Sequence, residues 1–194
     1  MARPEHGPAA VGVSDHSGWA ILVTASARGA LIDRRRIEIV DAGLPTMPHH
    51  HDGQRLPISD AVALVARVRA SAERNARARL AALARELPAA IGGIALRVCP
   101  TLPATVAERI QDYRAMCVAD WVMYRQAFAA AATELGWALS WYEPKRVFAE
   151  AASALAIGAA DAILEAPRST VGAPWQKDHK LAMAAAIVAA NAAR

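Results

Sequence analysis

Residues 11–20 read VGVSDHSGWA. A short apolar run ends on Asp15 and His16, two titratable residues, directly before a Ser-Gly turn pair. An ionised carboxylate at the end of a sheet needs an opposite charge, a hydrogen-bond donor or water. Ordinary core strands avoid that requirement, whereas strand ends that carry chemistry accept it. The next two apolar runs decide the fold. Residues 19–26 (WAILVTAS) and 31–40 (LIDRRRIEIV) are rich in β-formers. The gaps between the three runs are too short for a crossover, which predicts an antiparallel meander of three strands.

Residues 41–57 hold three prolines, two glycines and the run His49, His50, His51, the composition of a loop. Ser59 is placed to cap a helix over 60–87, where Val62, Val65, Val68, Leu80, Leu83 and Leu87 recur at helical spacing. Residues 91–98 (IGGIALRV) return to strand and are stopped by Pro100 and Pro103. A helix is predicted over 104–135, closed by Gly136, then a strand over 137–142 (WALSWY) and a helix over 145–155. Residues 156–176 read as helix and then loop, and 176–193 as a terminal helix. The order β-β-β-α-β-α-β-α plus a terminal helix predicts an α/β fold, a mixed five-stranded sheet with helices on both faces. Residues 1–9 read as a flexible tail and 10–194 as one domain.

Of the 22 basic residues only Lys145, Lys177 and Lys180 are lysines. The planar fork of arginine suits oxyanions, although an arginine-rich chain also arises from a GC-rich genome. Residues 67–79 carry Arg67, Arg69, Arg74, Arg77 and Arg79 against Glu73, a net +4 that equals the formal charge of the whole chain. Two readings stand: a stripe that tracks phosphates through Arg69, Arg74 and Arg77, or the solvated face of an amphipathic helix. Cys99 and Cys117 lack metal-type spacing and read as reduced core thiols. The opening MARPEHGPAA has no apolar signal core, and the alanine-rich run at 181–193 is too short to span a bilayer. The expectation is a cytoplasmic protein without a membrane partner.

The element order is that of the ribonuclease H-like superfamily, and within it the chain resembles the RuvC-type Holliday-junction resolvases. Their long helix and fifth strand carry a pattern like A-x-G…A-A…G-x-x-x-x-x-Y-x-P-x-x-V. The corresponding ADWVMYRQAFAAAATELGWALSWYEPKRVF keeps Ala119, Gly136, Tyr142, Pro144 and Val147. Their terminal helix carries D-x-x-D-A-L-A, which here reads DHKLAMA over residues 178–184. The chain is also similar to a bacterial family of comparable length that opens on a V-G-x-x-x-H-[ST]-G-W-A-like strand and closes on a P-W-x-x-D-like helix, matched here by VGVSDHSGWA and PWQKDHKLA. That second likeness brings no reaction with it.

The resemblance implies a divalent-metal-dependent nuclease or phosphodiesterase with Mg²⁺ or Mn²⁺ as cofactor, structured or single-stranded nucleic acid as partner, and a homodimer. It places Asp15 and Asp178 at metal-binding positions, with Glu143 and Asp120 as secondary metal candidates; Asp120 lies mid-helix, where an acid is usually solvent-facing. His16 and His179, next to the two acids, are candidates for acid–base work beside them. Two expected carboxylates have no counterpart: RVCPT stands near the end of the fourth strand, and Leu181 takes the place of the second acid of the terminal helix. Two-metal chemistry needs ions that clamp both the attacking and the leaving oxygen, and two carboxylates hold a hard cation weakly. The alternative is a degenerate ribonuclease H-like protein that binds nucleic acid or a partner without cleavage. Each acid also has a structural reading: Asp15 as a turn former and Asp178 as a first-turn acid on the helix dipole. The three consecutive histidines read as a solvated loop or an adventitious nickel or zinc site. Trp19, Trp121, Trp137, Trp141 and Trp175 read as packing residues.

Overall fold

A computed structural model describes residues 8–192. Among the described residues, five strands form one sheet: β1 (Ala9–Asp15), β2 (Trp19–Ser26), β3 (Leu31–Glu38), β4 (Ile91–Arg97) and β5 (Ala138–Tyr142). Their spatial order is β3-β2-β1-β4-β5. The first three pair antiparallel, as the short turns require, and β1–β4 and β4–β5 pair parallel. The α-helices are α1 (Ile58–Glu86), α2 (Val106–Gln111), α3 (Tyr113–Glu134), α4 (Val147–Ala154), α5 (Asp161–Glu165), α6 (Pro167–Val171) and α7 (Lys177–Ala192).

Central β1 is buried along its whole length. Val11 and Val13 face a core built with α1 and α3, which supply Leu64, Val68, Leu80, Tyr124 and Phe128. Ala10 faces the other core, which α4 and α7 close with Val147, Leu181, Met183 and Ile187. The alanines of α7 let it approach the sheet closely. A Cβ at Gly12 would sit 1.7 Å from the Ala182 carbonyl oxygen, so only glycine permits this contact. Gly18, with φ +82, turns the chain from β1 into β2. The arrangement is a ribonuclease H-like α/β fold, as the element order predicts.

Several boundaries differ from the sequence reading. Strand β1 begins at Ala9, inside the predicted tail; residues 1–7 of that tail lie outside the described residues. Strand β3 ends at Glu38 rather than at 40. Ser59 does not cap α1. Pro57 holds the cap position and Ser59 lies within the first turn. The helix expected over 104–135 is two helices. Thr105 and Glu108 form a reciprocal capping box on α2, and the Asp112 carboxylate accepts the Ala115 N–H to start α3. The loop over 41–57 contains a π-helical turn at Pro48–Asp52 and a 3₁₀ turn at Gly53–Arg55. Among the described residues no helix is long and apolar enough to cross a membrane.

Candidate strand-end site

Parallel pairing brings the C-terminal ends of β1 and β4 to the same side of the sheet, where α7 begins and α3 passes. A pocket of about 200 Å³ opens there, lined by Asp15, His16, Arg97, Trp121, Arg125 and Asp178. Three of the four residues proposed for catalysis therefore share one pocket. Neighbouring strand residues point to opposite faces, but β1 stops at Asp15, and the His16 N–H donates to the Trp19 carbonyl as the chain turns. This turn lets both side chains reach the pocket. His16 stacks on Trp19 at 3.8 Å with ring planes 2° apart. The Arg36 guanidinium lies over the same indole, 4.0 Å from its centroid. His16 Nε2 is 3.4 Å from Asp178 Oδ2, so a protonated imidazole would pair with that carboxylate.

Asp15 is held differently. Arg125, on α3, donates from Nε to Asp15 Oδ2 at 2.9 Å and from a terminal nitrogen to the Val98 carbonyl at 2.9 Å. Both side chains are almost completely buried. Among the described residues Asp15 Oδ1 has no hydrogen-bond partner. On the neighbouring strand Arg97 makes no ion pair among the described residues, and it lies beside Tyr142. The Tyr142 hydroxyl donates to the Val13 carbonyl at 2.8 Å, and burial pushes its pKa up to about 12. Trp121 keeps 37% of its surface exposed at the pocket mouth. Burial also pushes up the Cys99 thiol, which feels the opposing charges of Arg125 and Asp15.

The expected metal set Asp15, Asp178, Glu143 and Asp120 does not assemble. Among the described residues no three His, Cys, Asp or Glu side chains come together to hold an ion. Glu143 is exposed, and its carbonyl starts α4 by accepting the Arg146 and Val147 N–H groups. Asp120, read from sequence as a solvent-facing mid-helix acid, is buried. Its carboxylate accepts the His49 and His50 backbone N–H groups at 3.0 and 3.1 Å and lies 2.7 Å from His49 Nδ1. His49 is thereby a fully buried anchor rather than part of a solvated loop. The donor set left for Mg²⁺ or Mn²⁺ is Asp15 and Asp178. The Arg125 guanidinium already holds Asp15, and Arg97 adds a second positive charge. These residues do not fit a hard divalent cation.

His179 does not line the pocket. It packs against Trp175, its Nδ1 accepts the Gln176 N–H at 3.2 Å, and burial next to Arg34 lowers its pKa. Two of the five arginines in the α1 stripe are paired, Arg74 with Asp41 and Arg77 with Glu134. Of the five tryptophans, Trp141, 44% exposed, and Trp121 are not core residues. Sequence reasoning missed Arg97, Arg125 and Trp121. The available signal was Arg125 itself, the one basic residue in the mostly apolar stretch MCVADWVMYRQAFAAAATE of α3. A separate cavity of about 560 Å³ beside α7, lined by Phe148, Asp161, Glu165, Lys177 and Lys180 among others, contains none of the strand-end residues.

The order and register of the sheet give a ribonuclease H-like α/β fold, and a polar pocket lies at its strand ends. Among solved structures it is similar to RuvC of Thermus thermophilus in complex with a Holliday junction substrate, at 11% identity over 93% of this chain and 91% of that one, with a TM-score of 0.48. A second Thermus thermophilus RuvC structure matches at 12% identity over 93% and 92% of the two chains, also with a TM-score of 0.48. At these values the fold assignment rests on the sheet's own order and register. No protein-family model and no curated protein matches the sequence.

Proposed function

We propose that the protein binds nucleic acid at the strand-end pocket and does not cleave it by divalent-metal chemistry. The observation that carries this reading is the Asp15–Arg125 pair. A guanidinium 2.9 Å from the carboxylate provides the positive charge that a metal would otherwise bring. It cannot activate a water or clamp a leaving oxygen as an ion does. What remains favours binding: Arg97 offers a guanidinium with no ion pair among the described residues, and Trp121 offers an exposed indole face beside it. Guanidinium next to an aromatic ring is the combination that holds a phosphate and an unpaired base.

The test uses labelled junction, duplex and single-stranded substrates, each with Mg²⁺, with Mn²⁺ and with a chelator. Binding to at least one substrate in all three buffers, without cleavage, is the expected result. Metal-dependent cleavage that disappears in Asp15→Asn would overturn the reading and restore the nuclease.

A further inference from the structure

Resting on that reading, we infer that a bound single strand runs from the strand-end pocket to a second phosphate site, made by Arg69 of α1 and Arg109 of α2. Val68 and Ile110 are buried in one core, which brings the adjacent Arg69 and Arg109 to the junction of the two helices. The Arg109 fork is fixed: its Nε donates to the Pro103 carbonyl at 2.7 Å and a terminal nitrogen to the Ala104 carbonyl at 3.1 Å. Arg69 Nε is buried and, among the described residues, has no hydrogen-bond partner. Among the same residues neither guanidinium has an ion pair, whereas Arg74 and Arg77 on the same helix are matched by acids. The two forks are close enough for the Arg69 charge, after burial, to lower the Arg109 pKa. Glu108 opposes that shift without bonding either fork: its Oε2 accepts the Thr105 N–H and hydroxyl, both at 2.8 Å, in the cap of α2. Two cations held together without a bonded counter-ion repel. A phosphate oxyanion removes the repulsion and satisfies the free donors of both forks.

Hydrogen bonds connect this pair to the mouth of the pocket. The Gln54 amide donates to the Ile110 carbonyl at 3.0 Å and to the His49 carbonyl at 3.2 Å. His49 is anchored on Asp120, and the next residue of α3, Trp121, lines the strand-end pocket. Gln54 also lines a cavity of about 460 Å³, together with His50, His51, Asp52 and Arg55. This cavity gives the strand a concave route between the two sites, along which the Arg55 guanidinium and the Gln54 amide offer donors to the backbone. A strand repeats its phosphate at every nucleotide. With one phosphate on Arg97 and a base on Trp121, a later phosphate reaches Arg69 and Arg109 once the strand is long enough. A strand confined to the pocket of about 200 Å³ does not reach them.

The experiment measures fluorescence anisotropy of labelled single strands of about 4 and about 16 nucleotides, the range that single-strand sites cover, in chelator and across a salt titration. The double variant Arg69→Gln with Arg109→Gln is expected to bind the long strand about tenfold more weakly, the scale of a hydrogen bond to a charged group. Its salt slope on that strand should flatten by about 0.7, the value for one phosphate. Its affinity for the short strand should match that of the parent protein, whereas Arg97→Gln should weaken both lengths. Arg74→Gln with Arg77→Gln removes equal charge from α1 and is expected to change neither. Melting curves verify that the variants are folded. Long-strand affinity and slope that ignore Arg69→Gln with Arg109→Gln, while still responding to Arg97→Gln, would overturn the second site and leave binding at the pocket in place. An equal loss in the Arg74 and Arg77 variant would also overturn it, because overall charge alone would then matter. So would an equal loss on both strand lengths, which would take the arginine pair off the route. No binding of either strand, together with none of junction or duplex, would remove the underlying reading as well.

Discussion

Asp15 Oδ2 and Arg125 Nε lie 2.9 Å apart, with both side chains withdrawn from solvent between β1 and α3. A buried pair of this kind stabilises little relative to apolar residues of similar shape, but losing one partner leaves a charge stranded. Arg125→Met is therefore expected to destabilise the protein by about 3–5 kcal/mol. The double variant Asp15→Leu with Arg125→Met is expected to recover most of that loss. Urea unfolding of the two single variants and the double variant checks this, and strictly additive losses would contradict it.

The arginine stripe of α1 gives a second test. Arg74 and Arg77 are matched by Asp41 and Glu134; hydrogen bonds from Asn75 and Ser71, and then Arg74, hold Asp41 below the usual carboxylate range, and the Arg77 hydrogen bond does the same for Glu134. Arg74→Gln and Arg77→Gln are expected to leave nucleic-acid affinity and its salt slope unchanged. Arg97→Gln should flatten the slope by about 0.7, the single-strand value for one phosphate. Salt titrations of the three variants decide between the two placements.

A third expectation concerns the loop 46–52. The Asp120 carboxylate gathers two backbone N–H groups and the His49 ring, and the Tyr124 hydroxyl donates to the Thr46 carbonyl at 2.7 Å. Asp120→Ala leaves those buried donors unsatisfied and should cost about 2–4 kcal/mol. Hydrogen exchange at the His49 and His50 amides should accelerate more than exchange in β1.

The fourth expectation is a pH dependence. Burial, helped by Arg34 and opposed by Asp178, lowers the His179 pKa from the ordinary 6.5. Below that value the unfolded chain binds a proton that the folded chain resists, so folding stability falls as pH drops below about 6.5 and this contribution vanishes above it. His179→Gln should show a shallower loss of Tm between about pH 7 and pH 5 than the parent protein. Parallel Tm curves would contradict the assignment.

The strands were legible because their apolar runs are bounded by short turns, and the residues 19–26 coincide with β2. The break between α2 and α3 was also written in the sequence, as Thr105 three residues before Glu108 and as Asp112 before Ala115, but continuous helical composition hid it. Asp15, His16 and Asp178 could be placed at one site because element order fixes which strand and helix ends meet. Arg125 could not, because its partner is 110 positions away and no local period ties α3 to the end of β1. Asp120 was misread for a related reason: a mid-helix acid is usually solvated, and here the loop over 48–52 covers it.

The most direct test of the central claim is a crystal soaked in Mn²⁺, with anomalous scattering used to locate the ion. The expected map has no manganese peak at the strand ends and keeps the Arg125 guanidinium on Asp15. A peak within about 2.0–2.6 Å of an Asp15 oxygen, with Arg125 swung away, would contradict the account and return the pocket to metal-dependent chemistry.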